Sequence, residues 1–201
     1  VAGTTRLGIT CAMCHTDMQD GQLLVGAAGR SFNVGALWLS ADADRGVVTE
    51  PVLAARLARW GPGRADISED TQEDPVAIPD LWGLRHQTAL TQAGTIRHVG
   101  PTSLAIRQET QLLVANGQRT RPPRELSWAL AMFLYSLAPP PVPTDVSEDQ
   151  LAQGRAIFGA QCATCHSNAV FGGELVPVDE VGTDPALAVG PGRGTGFYRP
   201  P

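Results

Sequence analysis

The chain contains no lysine: all 15 basic residues are arginine, and 20 acidic residues leave a formal charge of −5. A basic surface for a phosphate backbone is not expected from this balance, and nucleic acid is excluded as a partner. Aromatics are scarce, at 5% of 201 residues, so large rings alone do not fill an interior. Long apolar runs are also missing. The longest, Trp128 to Leu137, is far short of the roughly 20 residues that a membrane-spanning helix needs, so no transmembrane segment is expected in this chain. Only four cysteines exist, in two close pairs, and none is left for a disulfide framework. No basic-then-apolar leader precedes Val1, so any export signal is expected to be already removed or to lie outside this sequence.

What is present points to a globular chain rich in loops. Apolar residues make up 43% and mean hydropathy is −0.05, while 22 glycines and 16 prolines interrupt periodic segments. The four cysteines stand in one device written twice: CAMCH, Cys11 to His15, and CATCH, Cys162 to His166. Two thiols at i and i+3 lie on one side of a helical turn and can form thioethers to both vinyl groups of one porphyrin. The histidine that follows is then carried under the ring, where its imidazole reaches the iron. The pattern therefore predicts two covalently bound haem c groups, attached through Cys11, Cys14, Cys162 and Cys165, with His15 and His166 as proximal ligands. A zinc site or a redox dithiol is the alternative for each pair.

Periodicity and proline divide the chain. A first unit, 1–137, ends in ELSWALAMFLYSL, where Leu126, Leu130, Phe133 and Leu137 form one helical stripe expected to be core. APPPVPTDVS, 138–147, reads as an extended linker. A second unit, 148–201, opens with a capping box from Ser147 and Gln150 and a helix leading into CATCH.

GRAIFGAQCATCH and ALAMFLYSL resemble the two framing helices of class I cytochrome c domains. The tail VGTDPALAVGPGRGTGFYRPP is similar to a stretch of the bacterial di-haem cytochrome c peroxidase-like superfamily and its rubber-oxygenase-like branch. The resemblance covers both motifs, the linker and the tail, and leaves residues 30–120 unmatched. It implies a mostly α fold of two cytochrome c-like haem domains with short helices and long loops, the second incomplete at its closing helix. It also implies a periplasmic or extracellular address, because haem c is attached outside the bacterial cytoplasm.

The far side of each iron is less determined. Met13 sits inside its own loop, Met18 stays on the proximal side, and Met132 lies in an apolar run where methionine fills core. His98, before the Gly100-Pro101 break, is favoured for the first haem, with His86 next and Tyr198 a weaker candidate; a surface or core histidine is the bland alternative. Two functions follow. One is a carrier of single electrons between redox protein partners, alone or within a larger complex. The other is a di-haem peroxidase- or oxygenase-like enzyme with one open or labile iron. The carrier is favoured, because GAAGRSFNVGAL lacks the labile histidine which that family carries after its first motif. Trp60, Trp82 and Trp128 are expected to be core. Arg30, Arg64, Arg97 and Arg193 are expected at the surface, with haem propionates as the alternative partner. GPGR at 61–64 and 190–193 reads as turns, and ISEDTQEDP at 67–75 as a solvated loop rather than a calcium site.

Overall fold

Glycine turns and capped helices set the architecture. A computed structural model describes residues 10–66, 74–115, 120–142, 144–169, 171–190 and 194–200. The acidic loop falls almost wholly outside the described residues, as do Arg193 and most of the second GPGR. The chain forms two compact units, Val1–Ser68 with Pro75–Leu81, and Glu69–Asp74 with Trp82–Pro201. This partition differs from the haem units expected at 1–137 and 148–201, since the proline-rich connector runs inside the second compact unit.

In the first unit, a single turn α1 (Cys11–Cys14) leads into a hairpin of β1 (Thr16–Gln19) and β2 (Gln22–Val25). Asp20 and Gly21 both take positive φ at its tip, which matches the right-handed twist of the paired strands. Helix α2 (Val34–Asp44) starts on Asn33, whose side chain accepts from the Ala36 N–H at 2.9 Å. Helix α3 (Pro51–Trp60) starts on Glu50, whose carboxylate accepts from the N–H groups of Val52 and Leu53. The two helices pack where Gly35 meets the Leu57 carbonyl, an approach that any Cβ would block. Val34, Leu57, Trp60, Ala65 and Ile78 form the core, with Cys14, Phe32, Leu39 and Leu53 packed against it. Gly61 and Gly63, both at positive φ, make the expected turn of the first GPGR. It feeds β3 (Arg64–Ala65), which pairs antiparallel with β4 (Val76–Ala77).

The second unit contains a short 3-10 turn (Leu84–His86), a hairpin of β5 (Ala89–Leu90) and β6 (Ile96–Arg97), and helix α4 (Pro101–Thr110), which runs into a wider turn over Gln111–Ala115. Helix α5 (Arg124–Ser136) packs against α4. Helix α6 (Glu148–Gln161) carries the expected capping box of Ser147 and Gln150 and buries none of its residues. Strand β7 (Val176–Pro177), α7 (Val178–Val181), α8 (Ala186–Val189) and β8 (Phe197–Tyr198) complete it, with β7 and β8 paired.

Two expectations are corrected. Helices outweigh strands, roughly as expected of a mostly α chain, but the pair of cytochrome c-like haem domains is not found: eight α-helices are accompanied by eight short strands in four two-stranded antiparallel sheets among the described residues, and nothing identifies either unit as a haem domain. Most of these strands are two residues long, too short to show a period in sequence. The stripe on α5 is not core either. Ser127, Ala131 and Leu134 are buried, while Leu126 is 63% exposed and Phe133 half exposed. The residues of α5 that are buried are mostly small, and of the stripe Leu126 and Phe133 are exposed while Leu130 and Leu137 are half-buried.

Candidate haem-attachment sites

The first cysteine pair forms its own helical turn. The His15 N–H donates to the Cys11 carbonyl at 3.0 Å, which closes the turn and puts both thiols and the imidazole on one short segment. Gly29 donates its N–H to the Cys14 carbonyl at 2.8 Å. A Cβ at position 29 would stand 2.6 Å from that oxygen, so the contact needs glycine. The His15 ring is oriented by Nδ1, which donates to the Pro79 carbonyl at 3.0 Å. That bond leaves Nε2 as the lone-pair nitrogen, without a protein partner among the described residues. Burial pushes the His15 pKa down, opposed by the Pro79 bond and by Asp80.

The second pair follows a longer helix. Cys162 caps α6 with its N–H on the Phe158 carbonyl at 2.9 Å, and the His166 N–H closes on the Cys162 carbonyl at 2.9 Å, as His15 does on Cys11. His166 Nδ1 donates to the Phe171 carbonyl at 2.7 Å, again leaving Nε2 without a protein partner among the described residues. The return is a tight turn in which the Asn168 side chain accepts from the Gly172 N–H at 2.8 Å. Gly173 then abuts the Cys165 carbonyl, where a Cβ would collide with the oxygen. Phe158 braces this loop, its ring 5.2 Å from Phe171 in edge contact and 6.5 Å from His166.

Each loop therefore offers two thiols and one imidazole with a fixed tautomer and an Nε2 without a protein partner among the described residues, a donor set that fits covalent haem. All four cysteines are free. Burial, and then Cys11 beside it, pushes the Cys14 thiol up, whereas an attacking redox dithiol needs a lowered value. Among the described residues no three or more His, Cys, Asp or Glu converge as a metal site. Zinc would need such a group, while a porphyrin brings four ligands of its own. The indole Nε1 of Trp60 is buried with no hydrogen-bond partner among the described residues, within the core that Cys14 touches.

The far-side candidates are placed as follows. His86 is exposed, and its Nε2 accepts from Arg85 Nε at 3.0 Å. His98 is 6% exposed, with Nδ1 donating to the Gln87 carbonyl at 2.9 Å and Nε2 accepting from the Tyr135 hydroxyl. Both histidines lie in the compact unit that holds Cys162–His166. A cavity of about 410 Å³ lies beside His98, lined also by Arg97, Glu174 and Leu175, the last two from the chain leaving CATCH. Met18 is 60% exposed on β1, and Met132 is exposed on α5. Tyr198 is buried and donates to the Asp184 carbonyl at 2.6 Å. Burial pushes both tyrosine phenols up. Of the tryptophans expected in the core, Trp60 is there, Trp82 is half-buried and Trp128 is exposed. Arg30, Arg64 and Arg97 are exposed, as expected.

Sequence reasoning missed Pro79, Gly29, Gly173 and Tyr135. The Gly172-Gly173 doublet shortly after His166 was the available signal; nothing local marks Pro79. No family model, curated protein or solved structure matches this chain.

Proposed function

We propose that this chain is a di-haem c-type cytochrome that carries single electrons between redox protein partners in the periplasm or outside the cell. The observation that carries the reading is the repeated geometry of His15 and His166. Each follows a helical turn bearing two free thiols, each is oriented by Nδ1 on a carbonyl, and each leaves Nε2 for a metal. Cys11 with Cys14, and Cys162 with Cys165, would hold one porphyrin each through thioethers. Haem supplies an iron that cycles between two oxidation states. The protein's own part is to fix the imidazoles and limit water. Along the chain, no described helix is long and apolar enough to cross a membrane. The resemblance to di-haem cytochromes adds to this reading.

Expression with a cytochrome c maturation system, followed by a pyridine haemochrome assay on the denatured chain, tests it. Two covalent haems per chain are expected, and one after Cys14→Ala or Cys165→Ala. A chain that takes up none beside a properly matured control overturns the reading.

The enzyme reading keeps one specific observation in its favour: the Nε2 atoms of His86 and His98 are both engaged by protein donors. An iron without either would have an open position. Carbon monoxide binding to the reduced protein would favour the enzyme, and two wholly low-spin haems the carrier.

A further inference from the structure

The sequence contains two tyrosines, and their hydroxyls meet different acceptors. Tyr198 donates to the backbone carbonyl of Asp184. An amide oxygen accepts a hydrogen bond but is too weak a base to take up the proton. Tyr135 on α5 donates instead to His98 Nε2. An imidazole nitrogen with its lone pair free is a far stronger base than an amide oxygen, and His98 is already oriented from behind by its Nδ1–H on the Gln87 carbonyl at 2.9 Å. The two rings meet edge on, with centroids 5.6 Å apart at 80°. His98 is almost fully enclosed, so water competes little for its Nε2.

A phenol that loses an electron becomes a strong acid, and its oxidation is easy only where a base takes the proton in the same event. Among the described residues Tyr198 has no such base. Tyr135 has one already aligned, and the imidazolium formed would keep its Nδ1–H bond to Gln87, so little around it must rearrange.

We infer that Tyr135 and His98 form a redox-active phenol–imidazole pair, a site that gives up one electron from Tyr135 while the phenolic proton crosses to His98 Nε2. The O–H bond of Tyr135 breaks and an N–H bond forms on His98. The electron leaves for a one-electron oxidant of high potential, such as photogenerated tris(bipyridyl)ruthenium(III), which is reduced to ruthenium(II). The products are a neutral phenoxyl and an imidazolium, and return of one electron reverses both transfers. The pair uses the same Nε2 that an iron would take, so it operates only where that nitrogen is not bound to iron.

Flash oxidation of the isolated chain with that ruthenium complex, followed by freeze-quench EPR, tests the pair. A phenoxyl signal is expected in the wild type, absent in Tyr135→Phe and retained in Tyr198→Phe. Its rate of formation should be about tenfold lower or more in His98→Gln, with circular dichroism confirming that the variant is folded. The wild-type rate should also fall in heavy water, a measurement that needs no variant. A signal that persists in Tyr135→Phe, one that belongs to tryptophan, or a wild-type rate indifferent to heavy water would overturn the inference.

Discussion

His15 and His166 are oriented by the same bond from carbonyls at very different distances along the chain, 64 residues for Pro79 and five for Phe171. The first loop is thus complete only when the chain beyond α3 has folded back and the core of Val34, Leu57, Trp60, Ala65 and Ile78 has formed. The hydrogen bonds of the second all fall within Phe158 to Gly173, on the end of a helix that buries nothing, with Pro200 beside Gly173. One chemical device is built twice, once as a product of tertiary structure and once from local turns. Closing a short loop costs less entropy than closing a long one, so the second loop should hold its shape even where packing is weakened.

The strongest way to break that comparison is to jam each loop in turn. Gly173→Ala places a Cβ on the Cys165 carbonyl, and Gly29→Ala places one 2.6 Å from the Cys14 carbonyl. Both neighbours are backbone and cannot swing aside. Each substitution is expected to prevent closure of its own loop only, lowering covalent haem from two to one per chain by pyridine haemochrome, with tryptic mapping to show which loop remains loaded. Loss of both haems from either variant would show that the loops are not independent.

A smaller effect is expected from the core. Leu57 is 1% exposed, and Leu57→Ala should cost about 2–5 kcal/mol of unfolding free energy by denaturant titration. Native-state hydrogen exchange then locates the damage. The Gly29 amide, which bonds to Cys14, should exchange faster, while the Cys165 amide, which bonds to Cys162, should not. Equal acceleration of both would remove the distinction between a tertiary and a local loop.

These contrasts also explain what the sequence made legible. The pentapeptides, the capping box at Ser147 and the turn at Gly61 were readable because each is local chemistry with a fixed spacing. The β1–β2 hairpin was readable too, since Asp20-Gly21 is a strong turn signal, yet four-residue strands carry too little period to draw notice. Pro79 was invisible because a carbonyl acceptor has no residue signature. The face of α5 was misread because hydrophobic periodicity finds a stripe but not its partner, and here the small residues Ser127 and Ala131 are the buried ones. His98 was singled out from its loop position, but its bond to Tyr135, 37 residues later, has no local signature.

In the second loop a milder change is expected at Phe158. Its edge contact with Phe171 is worth about 0.5–1.5 kcal/mol beyond its buried area, so Phe158→Ala should loosen the loop without opening it. Exchange at the His166 amide should rise modestly and haem content should stay at two. Loss of the second haem would mean that ring packing on α6, rather than the Asn168–Gly173 turn, holds the loop.

The smallest effect belongs to the first unit and depends on pH. Asp42, at the end of α2, is buried and accepts hydrogen bonds from the Thr49 hydroxyl at 2.8 Å and from Arg45. The Thr49 bond, with Arg45 and Trp38 assisting and burial opposing, holds its carboxyl below the ordinary carboxylate range. A group whose pKa is lower folded than unfolded binds fewer protons in the folded state. Its stabilisation is therefore present above the unfolded value of about 4 and lost as pH falls through the folded one. Asp42→Asn removes that charge, so the wild type should be the more stable at about pH 7 and the two should converge as pH falls below the unfolded value of about 4, read from urea midpoints. Because the lost bonds lie in the unit whose loop depends on tertiary packing, Gly29 exchange should follow the midpoint at both pH values. Cys165 exchange should ignore it. A gap between wild type and variant that stays constant with pH would place the role of Asp42 in its shape rather than its charge.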